Sequence, residues 1–243
     1  VLYLPILSVV LYSFNDGQSI ASWQGFSLRW YESLWQDRVI KESLWLSLQV
    51  GLFTALLSSI MGTYAALVSM KSKAKMKKTL SGAMMLPLLV PEVALGISLL
   101  VLYNFLKIPL GRLTLVLSHT LFCMPYVYVM VQIRLDEIDP SMIEASRDLG
   151  ASSWQTIKLI ILPLVKPAIF SASLLSLAMS LDDVVISTYV SGSQSTLPVH
   201  IFSMMRVGVT PKINALCTVI LLITFLILGF SQKKPRYKGA MNT

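Results

Sequence analysis

The stretch Glu144-Ala145-Ser146-Arg147-Asp148-Leu149-Gly150, with nine residues between it and Ile160-Ile161-Leu162-Pro163, forms a polar island between two long apolar segments. It reads as a docking element carried by a membrane protein. The 243-residue chain is 55% hydrophobic and only 13% charged, with a mean hydropathy of +0.69. Soluble domains hold about 25% charged residues, so the composition indicates a polytopic membrane protein.

Around the island, between Arg134 and Lys166, helix signals cluster. Asp139 can cap a helix with Pro140 at its first position, and Gly150 can end it in the left-handed conformation. Ser152 then offers a second cap, with Gln155 three residues on as in a capping box, and a second helix runs toward Pro163. The expectation is two short helices joined at a glycine turn, within a loop over residues 135–163. Glu144, Arg147 and Asp148 stand among Met142, Ile143, Ala145 and Leu149, a mixture that suits a knob seated in a groove of another protein.

A helix needs about 20 apolar residues to cross the hydrocarbon. Six spans follow, over residues 1–14, 44–70, 80–106, 113–134, 164–190 and 214–231 of one transmembrane domain. The first is short, and the chain opens at Val1 inside an apolar run, so the start of this helix is expected to be missing. Lys71, Lys73, Lys75, Lys77, Lys78, Arg134, Arg147, Lys158, Lys166 and a basic tail over 232–243 fall on one side. Only Arg29, Arg38, Lys41, Lys107, Arg112, Arg206 and Lys212 fall on the other. The positive-inside bias therefore makes the docking loop, the tail and both termini cytoplasmic. It also accounts for the net charge of +8 without nucleic acid.

The external segment from Asn15 to Ser43 carries Trp23, Phe26, Trp30, Tyr31 and Trp35, rings that favour the headgroup level. In span two, Ser58, Gly62 and Ala66 at spacing four allow close helix contact. Cys123 and Cys217 lie singly in apolar segments, which indicates neither a disulfide framework nor a zinc site. No GxxxxGK(S/T) loop, GxSxG or HExxH pattern occurs, so no catalytic site and no cofactor are expected on this chain.

The run Glu-Ala-Ser, three residues, Gly, nine residues, Ile, one residue, Leu-Pro resembles the EAA motif of bacterial ABC importer permeases, with Ser146 where Ala is usual. The resemblance implies a type I ABC importer permease fold, all-α, with about six transmembrane helices. It implies that Glu144, Ala145, Ser146, Arg147, Asp148 and Gly150 form a coupling helix inserted into an ATPase subunit. The stretches Tyr12-Ser13-Phe14-Asn15, Leu117-Ser118-His119 and above all Ser180-Leu181-Asp182-Asp183-Val184-Val185 are similar to spermidine/putrescine permeases of the PotC type. That likeness implies a heterodimer with a homologous permease in the bacterial inner membrane. Two ATPase subunits using ATP and Mg, and an extracytoplasmic polyamine-binding protein, would complete an importer of small cationic substrates.

Glu92, Asp182 and Asp183 are the acids within the spans. A carboxylate at a helix centre costs about 2.5–3.5 kcal/mol on insertion scales, so each calls for a protein-lined cavity or a positive partner. Glu92 is expected near the middle of span three and the aspartates near the outer end of span five. The functional reading is a substrate pathway for amines, with Asp183 slightly favoured and Tyr189 or Tyr103 supplying aromatic faces. The structural alternative is a helix cap or an ion pair with Arg206 or Lys212. His119 reads as a packed, hydrogen-bonded histidine in preference to a proton relay. A stand-alone cation transporter or channel, or an ABC permease for another solute, is the competing function; six spans without an inverted repeat weigh against the former.

Overall fold

In a computed structural model, residues 3–19 and 22–231 are described, with side chains to Phe225; the tail over 232–243 lies outside them. The helices in chain order are α1 (Leu4–Tyr12), α2 (Arg29–Gln36), α3 (Arg38–Lys71), α4 (Ala74–Leu89), α5 (Glu92–Phe105) and α6 (Arg112–Asp136). They continue with α7 (Pro140–Asp148), α8 (Ser153–Thr156), α9 (Leu162–Asp182), α10 (Val185–Val190), α11 (Leu197–Val207) and α12 (Pro211–Ser231). Among the described residues there is no strand, only an isolated bridge between Asn15 and Phe26.

The chain divides into two compact units. One comprises residues 1–40 and 201–243, the other 41–200. In the first, α12 packs on α1 and α2. Its polar loop after α1 is tied by Asn15, whose side chain donates to the carbonyls of Ser19 and Ser22 and accepts from the Gln24 N–H. Trp23, Phe26 and Trp35 are exposed. Lys212 Nζ lies 2.6 Å from Asp37 Oδ2, while Asp37 Oδ1 accepts the N–H groups of Val39 and Ile40 at the start of α3. Burial pushes the Asp37 carboxyl up, but Lys212 and the two backbone donors outweigh it and hold the group below the usual carboxylate range.

The second unit is built around α6, which packs on α9, α4, α10 and α5. The small-residue row of α3 lies in this core: Ser58 and Ala66 are fully buried. A β-carbon added at Gly62 would come within 2.7 Å of Val127 Cβ, so only glycine permits this approach of α3 to α6. Cys123 is buried and both cysteines are free.

The expected spans are not six straight helices. Among the described residues, three helices are long and apolar enough to cross a membrane, namely Arg38–Lys71, Arg112–Asp136 and Ser153–Asp182. The expected span over 80–106 is a bent pair, α4 and α5, meeting at 101°. Pro91 explains the break, since proline disfavours the helical conformation of the residue before it and cannot donate to the helical ladder. Val90 is accordingly extended, with ψ of 128°. The expected span over 164–190 is likewise interrupted, at Asp183, which leaves the helix with ψ of 123° before α10 begins.

Candidate functional site

The segment over residues 135–163 has the expected caps. Asp139 accepts the Ser141 N–H with Pro140 at the first helical position, and Ser152 and Gln155 satisfy each other's backbone N–H groups. Gly150 adopts φ of +83°, where a side chain would strain the backbone. The helix that starts at Ser153 does not end near Pro163 as expected. It runs on to Asp182 through a π-turn over Ile157–Ile161. Pro163 lacks an N–H, and in a regular α-helix its ring would clash with the carbonyl four residues back; the wider turn lets the helix continue past it.

On α7, Glu144, Ala145, Arg147 and Asp148 are exposed, as is Gly150 beyond it. Ser146 is not on that surface. It is buried, its hydroxyl donating to the Ile143 carbonyl at 2.8 Å and meeting Thr156 Oγ1 at 2.9 Å. The exposed apolar side chains beside the charges are Met142 and Leu149, the latter 88% exposed. Leu149 belongs to this face although sequence reading places it only among the flanking apolar residues. The sequence signal is its position between the helix end and the glycine turn. Behind the element, Met70, Lys71, Ile143, Arg147, Thr156 and Ile161 line an open pocket of about 420 Å³.

The two helix interruptions meet at a second pocket of about 360 Å³, lined by Glu92, Phe122, Met179, Asp182, Asp183, Val184 and Val185. The expected separation of Glu92 from the aspartates is therefore not observed. The bend at Pro91 makes Glu92 the first residue of α5 and brings its exposed carboxylate to the wall that Asp182 also lines. Asp182, the last residue of α9, is exposed.

Asp183 is engaged differently. Its carboxylate accepts the Ile186 N–H at 3.3 Å and the Ser187 N–H at 2.7 Å, and it lies 3.3 Å from His119 Nε2. The side chain is 5% exposed, so the Asp183 favoured for the pathway is the more tied of the pair and Asp182 the more available. The expected alternative partners are also taken, Lys212 by Asp37 and Arg206 by the face of Phe202. Tyr189 does not line the pocket. Its ring packs on α5, where a β-carbon at Gly96 would come within 2.7 Å of it. Tyr103 is buried, with its hydroxyl 2.9 Å from Ser118 Oγ. Chemically, the pocket pairs two accessible carboxylates with an apolar wall of Phe122, Met179, Val184 and Val185, a combination suited to an alkylammonium ion.

Residues 58–233 match the model of the family described as "Binding-protein-dependent transport system inner membrane component". The chain is 40% identical over 232 residues to the spermidine/putrescine transport system permease protein PotC of Haemophilus influenzae, covering 95% of this chain and 90% of that protein. It is 41% identical over 229 residues to the putrescine transport system permease protein PotI of Escherichia coli, covering 90% and 81%. A solved bacterial alginate ABC transporter, in complex with an alginate pentasaccharide-bound periplasmic protein, aligns with a TM-score of 0.75 at 17% identity, covering 93% of this chain and 85% of that one. The match over most of the chain and the long, near-full-length identities make the chain a member of the binding-protein-dependent transport system inner membrane components, the permeases of ABC importers.

Proposed function

We propose that this chain forms the translocation pathway of a polyamine importer, with spermidine and putrescine as substrates. The observation that carries the reading is the pocket where the carboxylates of Glu92 and Asp182 meet an apolar wall at two helix interruptions. A primary ammonium offers three donors to such carboxylates, while its methylenes lie against Phe122, Met179 and the valines. The relatives named for spermidine and putrescine transport support the same substrate class.

The chain pairs with a homologous permease, receives substrate from an extracytoplasmic binding protein, and docks through α7 on one of two ATPase subunits that bind ATP and Mg. The lysine-rich segment from Lys71 to Lys78 supports a cytoplasmic docking side and cytoplasmic termini. Exposed Met142, Ala145 and Leu149 supply the apolar centre of the ATPase contact, and Glu144, Arg147 and Asp148 its charged rim.

The helix from Ser153 to Asp182 is the mechanical link. It is 30 residues long, about 45 Å, and joins the docking turn directly to the acidic pocket. Closure of the ATPases on ATP displaces α7, the helix carries that displacement to Asp182, and the pocket changes its exposure between the two sides. Competition tests the substrate class. Uptake of labelled spermidine by the assembled complex should be displaced by putrescine and other diamines, and not by neutral or acidic solutes of equal length. Displacement by the acidic solutes would contradict it.

A further inference from the structure

The interruption at Asp183 has no covalent cause. The bend between α4 and α5 has Pro91, but Leu181-Asp182-Asp183-Val184-Val185-Ile186 contains neither proline nor glycine. Helix breaks without them arise at π-bulges or where a side chain or water enters the helical hydrogen-bond ladder. Here that side chain is Asp183, which takes up the N–H groups of Ile186 and Ser187 in place of backbone carbonyls.

What holds Asp183 in that position comes from another helix. His119 of α6 is 1% exposed in its side chain, and both ring nitrogens are engaged. Nδ1 lies 2.7 Å from Ser180 Oγ on α9, and Nε2 lies 3.0 Å from Ser187 Oγ on α10 and 3.3 Å from Asp183 Oδ2. Nε2 hydrogen-bonds with Ser187 Oγ and lies within ion-pair distance of the Asp183 carboxylate, which can only accept. One imidazole thus touches both helix ends and the linker between them.

We infer that His119 is a positioning residue for transport. By clamping Asp183 and the ends of α9 and α10 it maintains the interruption, and the interruption holds the Asp182 carboxylate in the pocket that Glu92 shares. Without the clamp, the ladder can close through Asp183, α9 continues into α10, and Asp182 turns with it out of the pocket. This inference rests on the polyamine reading for its effect on uptake, but not for its effect on the pocket.

The test compares His119→Leu, His119→Gln and Ser180→Ala in the assembled complex, with two readouts. The first needs no polyamine: Val185→Cys, in a chain whose two native cysteines are alanine, is modified with cationic and anionic thiosulfonate reagents. In the parent, the cationic reagent should react about tenfold faster, as expected for a cleft lined by carboxylates. His119→Leu should abolish this preference, and His119→Gln, which keeps a donor for Asp183, should largely restore it. Ser180→Ala should have a smaller effect than His119→Leu. The second readout is spermidine uptake, where His119→Leu should raise the half-saturation concentration about tenfold, the effect of losing a hydrogen bond to a charged group. The maximal rate per assembled complex should change less. An unchanged reagent preference in His119→Leu, or equal loss in the Leu and Gln variants, would overturn the inference. If the parent moves no polyamine and the reagent preference still depends on His119, the substrate reading fails and the positioning role stands.

Discussion

Ser146 Oγ lies 2.9 Å from Thr156 Oγ1, and this contact ties the last turn of α7 to the start of the helix that enters the membrane. The hydroxyl pair makes α7 and the long helix one mechanical piece. Thr156 also reaches the Ser152 carbonyl at 3.2 Å, so it keeps a partner if Ser146 is shortened.

Ser146→Ala should therefore cost about 1 kcal/mol or less and leave uptake within about twofold of the parent. Ser146→Arg puts a long charged side chain where a buried one packs and should abolish uptake at normal membrane levels of the protein. Immunoblotting of membranes beside uptake assays checks both.

Glu144→Arg reverses a charge on the exposed face of α7 without touching the packed side. The expected outcome is normal insertion and assembly, with loss of binding-protein stimulation of ATP hydrolysis and of uptake. Normal coupled uptake would remove α7 from the ATPase interface.

Glu92→Gln and Asp182→Asn should each raise the half-saturation concentration for spermidine about tenfold, since each removes a charged acceptor from the pocket. Asp183→Asn should behave differently. It weakens the cap of α10 and the contact to His119, so assembled protein should fall along with uptake. Thermal unfolding of the purified complexes separates the two classes.

Asp37 bridges Lys212 and the first N–H groups of α3, and these donors hold its carboxyl below the usual range despite partial burial. A group whose pKa is depressed on folding stabilises above its unfolded value, and that stabilisation is lost as pH falls through the folded value. Asp37→Asn should therefore cost about 1 kcal/mol at pH 7 and at pH 5, with the difference shrinking only below about pH 4. Unfolding scans of parent and variant across that range check the sign. Equal stabilities at pH 5 would contradict it.

The local grammar of the segment over residues 135–163 was legible because caps and turns act within a few residues. Asp139, Ser152, Gln155 and Gly150 each do in the structure what their chemistry dictates at those spacings. Ser146 was not legible in the same way, since its partner Thr156 comes into reach only after the glycine turn is made. Apolar length indicated the membrane class, but not where spans break. The first break has a local cause in Pro91, whereas the interruption at Asp183 depends on His119 more than sixty residues earlier in the chain. For the same reason the shared pocket of Glu92 and Asp182 could not be read from distances along straight helices. It exists because both helices are interrupted.

The most direct measurement is uptake of radiolabelled spermidine and putrescine into proteoliposomes holding this chain with its partner permease and ATPases, with and without ATP and the binding protein. The expected result is accumulation of both amines only when ATP and the binding protein are present together. Accumulation by this chain alone down an ion gradient, or ATP-driven coupling that moves neither amine, would contradict a polyamine importer.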